Sequence, residues 1–88
     1  MVKDGDFVAI FNSVHRGMKA EKMLKAEKIP MLLIPAPRSL SSDCGLAIRY
    51  AQDDRQRVED LLAAASLVPE EIHRKTGDTF VRIDGAES

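Results

Sequence analysis

The chain has 88 residues, 13 Lys and Arg against 14 Asp and Glu, a net charge of −1 and one cysteine. That length allows one small domain around a single hydrophobic core, for which pairing with a second copy is a route to further stability. The balanced charge argues against a nucleic-acid binder held by phosphate contacts, and the lone cysteine excludes an internal disulfide or a CxxC motif within one chain.

Acids in Met1-Val2-Lys3-Asp4-Gly5-Asp6 precede only a short apolar run, so neither a signal peptide nor a membrane span is expected. A free thiol without a disulfide partner points to a reducing cytoplasm. Phe7-Val8-Ala9-Ile10-Phe11 has the β-branched and aromatic make-up of a buried strand, and Ser13 suits the N-cap of a helix from about Val14 to Glu27. Val14, Met18, Ala20, Met23, Leu24 and Ala26 define its expected apolar face, with Lys19, Lys22, Lys25 and Lys28 interleaved with Glu21 and Glu27 as a solvated one. Gly17 is a soft spot inside it. Pro30 disfavours helical geometry at Ile29 and closes the element.

Met31-Leu32-Leu33-Ile34 is continuously apolar, as expected of a strand covered by helices, and its prolines at 30 and 35 rule out a membrane helix. Gly45-Leu46-Ala47-Ile48-Arg49-Tyr50 alternates, with Leu46, Ile48 and Tyr50 on one face. Asp53 or Asp54 can cap a second helix from about Arg55 to Ala65, whose stripe is Val58, Leu61, Leu62 and Ala65. Ser66 to Pro69 ends it. Glu71 to Lys75 and Thr79 to Ile83 flank the turn signal Thr76-Gly77-Asp78, and one of the two is expected to be a core strand. Residues 1–84 are expected to form the domain and 85–88 a loose tail.

The order β-α-β-β-α-β specifies an α+β fold of ferredoxin-like type, an antiparallel sheet with both helices on one face. In that topology the first and second strands run parallel with the third between them. The segment Pro35-Ala36-Pro37-Arg38-Ser39-Leu40-Ser41-Ser42-Asp43-Cys44-Gly45, too rich in Pro, Ser and Gly to continue a strand, is a long connecting loop. Topology places its end beside the start of the first helix, Ser13 to Arg16. A helix N-terminus favours anions, and a thiol there, with Arg38, His15 and Arg16 nearby, is expected to have a lowered pKa. Gly45 is expected to supply a close backbone approach, a positive φ and an N–H donor, and Ser41 and Ser42 their hydroxyls.

Cys44, His15, Asp43 and His73 offer no recognisable zinc spacing, so no metal is expected. A Cys–His hydrolase with His15 as base to Cys44 is disfavoured because so little loop material leaves scarcely any substrate pocket. Taken alone, His15 reads as a capping or surface residue and His73 as solvent-facing.

Phe11-Asn12-Ser13-Val14-His15, Ala20-Glu21-Lys22-Met23-Leu24-Lys25, Leu33-Ile34-Pro35 and above all Pro37-Arg38 followed by Ser41-Ser42-Asp43-Cys44-Gly45 resemble the selenium/sulfur carrier protein-like family of small bacterial domains. The resemblance covers the first two-thirds of the chain, and the segment after about Gln52 adds little to it. It implies a carrier that holds sulfur or selenium on Cys44 as a persulfide or perselenide, with Arg38, Ser41, Ser42 and Gly45 as the loop environment. It also implies a cysteine desulfurase or selenocysteine lyase as donor, a selenophosphate-forming or sulfur-transfer enzyme as acceptor, and no cofactor. The competing reading is a non-catalytic interaction or regulatory domain with a structural cysteine.

Overall fold

The structure, a computed structural model, describes residues 3–37 and 45–83; the expected tail, 85–88, lies outside them. Phe7–Phe11 forms β1, and all five of its residues are buried, because it has a strand on each edge and its side chains join an apolar cluster on each face. Helix α1 spans Val14–Ala26, β2 Leu32–Pro35 and β3 Leu46–Tyr50. A 3-10 turn, Gln52–Asp54, leads into α2, Arg55–Ala64, followed by β4, Glu71–Thr76, and β5, Thr79–Arg82. The strand order is β2-β3-β1-β4-β5, and every neighbouring pair is antiparallel. The first four strands reproduce the expected ferredoxin-like arrangement, and β5 adds an edge by hairpin. Of the two C-terminal strand candidates, β4 pairs directly with β1 and β5 is the edge.

Both helices pack on the sheet face carrying Phe7, Ala9, Phe11, Ile48 and Tyr50, where Ala20 and Leu24 of α1 meet Val58 and Leu62 of α2. Each large aliphatic chain removed from water here contributes about 1.5–3 kcal/mol. The buried stripe of α1 is Gly17, Ala20 and Leu24, with Met23 packed beside it, so Ala20, Met23 and Leu24 of the expected face hold while its other members do not. Val14 and Met18 are 48% and 54% exposed, and Ala26 is exposed too. The helix turns its smallest residues inward because β3 lies close beneath it: a Cβ on Gly17 would stand 3.0 Å from the Cβ of Leu46.

Two further expectations change. β2 is an edge strand with Leu32 exposed and only Ile34 buried, since it has a partner on one side alone. His73 is 7% exposed, because β4 is an interior strand and His73 stands beside fully buried Val8 on the helix-free face. Its Nε2 lies 2.8 Å from Glu71 Oε1, and Nδ1 has no partner among the described residues. Asp54 occupies the N-cap of α2 without a side-chain cap bond, the 3-10 turn taking that role instead.

Both helices end in the same way, and neither end is set by proline. Lys28 and Ser66 adopt φ of 58°. Lys28 N–H donates to Lys25 O at 2.9 Å and Ile29 N–H to Leu24 O at 3.1 Å; Ser66 donates to Ala63 O at 3.2 Å and Leu67 to Leu62 O at 2.8 Å. These are Schellman closures in which buried Ile29 and Leu67 follow the left-handed residue. Left-handed geometry costs a side-chain-bearing residue about 1–2 kcal/mol, partly offset in glycine by its greater freedom when unfolded. Lys28→Gly and Ser66→Gly are each expected to stabilise the domain by about 0.5–1 kcal/mol, read as a Tm rise of a few degrees.

At the sheet end remote from α1's start, Tyr50 stacks on Phe7 with ring centroids 5.8 Å apart and donates its hydroxyl to Glu59 Oε2 at 3.0 Å. Arg55 lies 4.7 Å over the Phe7 ring and donates to the same carboxylate oxygen at 3.0 Å, so α2 is pinned to β1 and β3 by one cluster. Burial, reinforced by the Glu59 charge, raises the Tyr50 pKa well above that of a free phenol. A raised folded-state value means the associated stability is complete below the unfolded pKa, about 10, and is lost as pH climbs above it. Denaturant titrations are therefore expected to show wild type losing stability above about pH 10 more steeply than Tyr50→Phe.

Candidate functional site

The chain positions a corner where β1 and β2 end and α1, β3 and β4 begin. Ser13 leaves β1 in an extended conformation and caps α1, its Oγ accepting from Arg16 N–H at 3.3 Å while its carbonyl accepts from Gly17 N–H at 3.0 Å. The first-turn N–H groups of Val14 and His15 have no acceptor among the described residues. They point out of the helix end, where the backbone dipoles leave partial positive charge.

Gly45 closes one side of the corner. Its carbonyl accepts from Ala36 N–H at 3.1 Å, one residue beyond the Pro35–Leu46 pair of the β2–β3 ladder. The connection between these strands therefore springs from the Ala36–Gly45 bond. A Cβ on residue 45 would stand 2.7 Å from the Phe11 carbonyl oxygen and 3.7 Å from Asn12 Cα. Only glycine fits there without moving backbone. The need is for space: among the described residues the positive-φ glycines are Gly5 and Gly77, not Gly45, so the expected left-handed conformation at Gly45 is corrected.

Glu70 closes the other side. Its N–H donates to Ile10 O at 2.9 Å, Oε1 accepts from Asn12 N–H at 2.9 Å, and Oε2 accepts from Arg16 Nη1 at 2.9 Å. Arg16 Nη2 also donates to Val68 O at 3.0 Å. β3 and β4 flank β1 on opposite sides, so the Arg16 guanidinium is drawn to the side away from Gly45 and its charge is matched by Glu70. His15 is exposed on α1 and lines a groove along that helix with Met18. Arg38, Ser41, Ser42 and Cys44 lie outside the described residues. Cys44 is the residue bonded to Gly45 N, so the chain passes directly from Cys44 into the anchored glycine.

Glu70 was not a candidate from the sequence, since nothing in Pro69-Glu70-Glu71 signals a clamp on a strand end more than fifty residues away; the contact separation is 58. Gly17 did carry a signal, a glycine inside an otherwise amphipathic helix, and it marks close approach of α1 to Leu46. Among the described residues no group of His, Cys, Asp and Glu is disposed to hold a metal ion, and no helix is long and apolar enough to cross a membrane.

The fold and this corner define a small α+β domain whose single-cysteine loop is rooted at a helix N-terminus. The family model described as Putative Se/S carrier protein-like matches residues 6–74, and the chain belongs to that family. The match runs through α2 and most of β4, well beyond the two-thirds in which the resemblance was visible, and stops short of β5. Searches of curated proteins and of solved structures return no match.

Two glycines at one corner give a graded expectation. Gly45→Ala meets backbone and is expected to cost about 1–3 kcal/mol by urea unfolding. Gly17→Ala meets a side chain and gains about 1 kcal/mol of helix propensity, so its net cost is the smaller of the two.

Proposed function

We propose that this protein carries sulfur or selenium on Cys44, receiving it as a persulfide or perselenide and passing it to an acceptor enzyme. The observation that carries the reading is Gly45, the residue joined to Cys44, seated against Phe11 and Asn12 at the start of α1. Membership of the carrier-like family supports it.

The transfer needs no net redox change. The Cys44 thiolate attacks the outer sulfur or selenium of a donor persulfide or perselenide; a new bond forms to Cys44 Sγ as the bond to the donor cysteine breaks, and the donor leaves as thiolate. The proton stays on the transferred atom or is lost to water. Delivery to the acceptor runs the same exchange in the opposite sense. Both thiolate and adduct are anionic, and the reading assigns the Val14 and His15 N–H groups, Arg38 and the Ser41 and Ser42 hydroxyls to their stabilisation. A cysteine desulfurase or selenocysteine lyase is the donor class, a selenophosphate-forming or sulfur-transfer enzyme the acceptor class, and a reducing cytoplasm the setting in which a single unpaired thiol persists.

Intact mass spectrometry without reductant tests this. After incubation with inorganic polysulfide, or with a cysteine desulfurase and cysteine, wild type is expected to gain the mass of one sulfur atom and Cys44→Ser none. No gain in wild type, or equal gain in Cys44→Ser, overturns the carrier reading and favours a structural cysteine in an interaction domain.

A further inference from the structure

We propose that the outer face of α1 is the docking surface for the enzyme that loads Cys44, and that the matching surface of that enzyme is acidic around an apolar contact. This rests on the carrier reading and adds where and by what chemistry the donor binds.

His15, Met18, Lys19, Glu21, Lys22 and Lys25 line an open groove of about 490 Å³ along the helix. It lies opposite the buried Gly17, Ala20 and Leu24 stripe, so the core places no demand on it. Two of the large apolar side chains left exposed among the described residues, Val14 and Met18, stand on α1. A solvated helix face does not require them.

Charge selects the partner. The whole chain is nearly neutral at −1, yet α1 carries Arg16, Lys19, Lys22 and Lys25 against one acid, Glu21. Glu21 pairs with Lys25 at 3.1 Å and Arg16 with Glu70, whereas Lys19 and Lys22 have no ion pair among the described residues. By contrast, the turn and helix from Gln52 to Ala64 hold Asp53, Asp54, Glu59 and Asp60 against Arg55 and Arg57. Cations are therefore segregated onto the helix whose first turn forms the corner at Gly45. At 1.5 Å rise per residue the groove extends only about 15 Å from His15 to Lys25, within the footprint of one protein contact. Four cations with an acid among them are too few and too mixed for a nucleic-acid track. They suit carboxylates bracketing an apolar side chain that meets Met18, an arrangement that raises association rate and fixes orientation.

The test compares two sulfur sources on the same proteins. Wild type, Lys19→Glu/Lys22→Glu and Met18→Asp are loaded from inorganic polysulfide and, separately, from a cysteine desulfurase or a selenocysteine lyase of the same cell with its substrate. The expected result is an enzyme-driven loading rate reduced at least about tenfold in the double variant and in Met18→Asp, and reduced by added salt in wild type. Polysulfide loading stays within about twofold in every variant, which also reports an intact fold. Equal enzyme-driven rates in wild type and the double variant overturn the docking surface while leaving the carrier reading intact, as does a wild type that neither enzyme loads faster than polysulfide alone. A wild-type dimer that the double variant dissociates assigns the face to self-association and overturns it also. Wild type that polysulfide fails to load removes the carrier reading and this inference with it.

Discussion

The approach of β3 to the end of β1 is the constraint from which the rest of the corner follows. With 2.7 Å between the Phe11 carbonyl oxygen and the position a Cβ on residue 45 would take, the two backbones meet where no side chain fits. That approach lets Ala36 bond Gly45, so the loop between β2 and β3 leaves the sheet at a defined point. It also draws Leu46 under α1, and there the helix must present Gly17. Two glycines one helical turn and one strand apart answer the same demand for space. Removing either would push the helix start, the strand end and the loop root apart together.

The opposite end of the sheet is held by different chemistry. Tyr50, Phe7, Arg55 and Glu59 combine ring stacking, a cation over a ring face and a carboxylate that accepts two hydrogen bonds. Large side chains fill that end, while backbone proximity defines the corner at Gly45. Such a division would suit the proposed carrier, in which the Val14 and His15 N–H groups face an anion: bulk at that corner would cover them, whereas bulk at the far end would not.

The order of the first four strands, the helix side of the sheet and the meeting of Gly45 with the start of α1 were legible in the sequence, because element order together with the β-α-β-β-α-β topology leaves little choice; the fifth, edge strand was not part of that pattern. The turn at Thr76-Gly77-Asp78 likewise announced the β4–β5 hairpin. Features set by long-range packing were not legible. Periodicity put Val14 and Met18 inside because they are apolar, but the proximity of β3 favoured Gly17, which no hydrophobicity pattern can rank as core. Lys28 and Ser66 gave no sign of their left-handed conformations, since glycine is the usual marker. His73 looked like a surface residue until β4 proved interior, and the pairing of Arg16 with Glu70 depends on two strands coming together across most of the chain. The reading of Pro35 to Gly45 as a site rests on its residue types and on family resemblance, which are properties of the sequence and not of its packing.

The neutralisation of Arg16 bears on what kind of anion site this corner makes. A carrier must release its cargo as well as hold it, and a fully paired guanidinium at the adduct would deepen the bound state by a charge-assisted hydrogen bond, roughly twice as strong as one from a neutral donor. Glu70 takes that guanidinium to the far side of β1 and also occupies Asn12 N–H. What α1 offers toward Gly45 is then chiefly backbone dipoles, which, on the carrier reading proposed above, would favour an anion there while leaving it free to depart. The same separation explains why cations accumulate farther along α1, at Lys19 and Lys22. On the docking proposal, cations placed there would attract an acidic partner from the side of α1 away from its first turn, so capture of the partner and retention of the cargo would be governed by different residues.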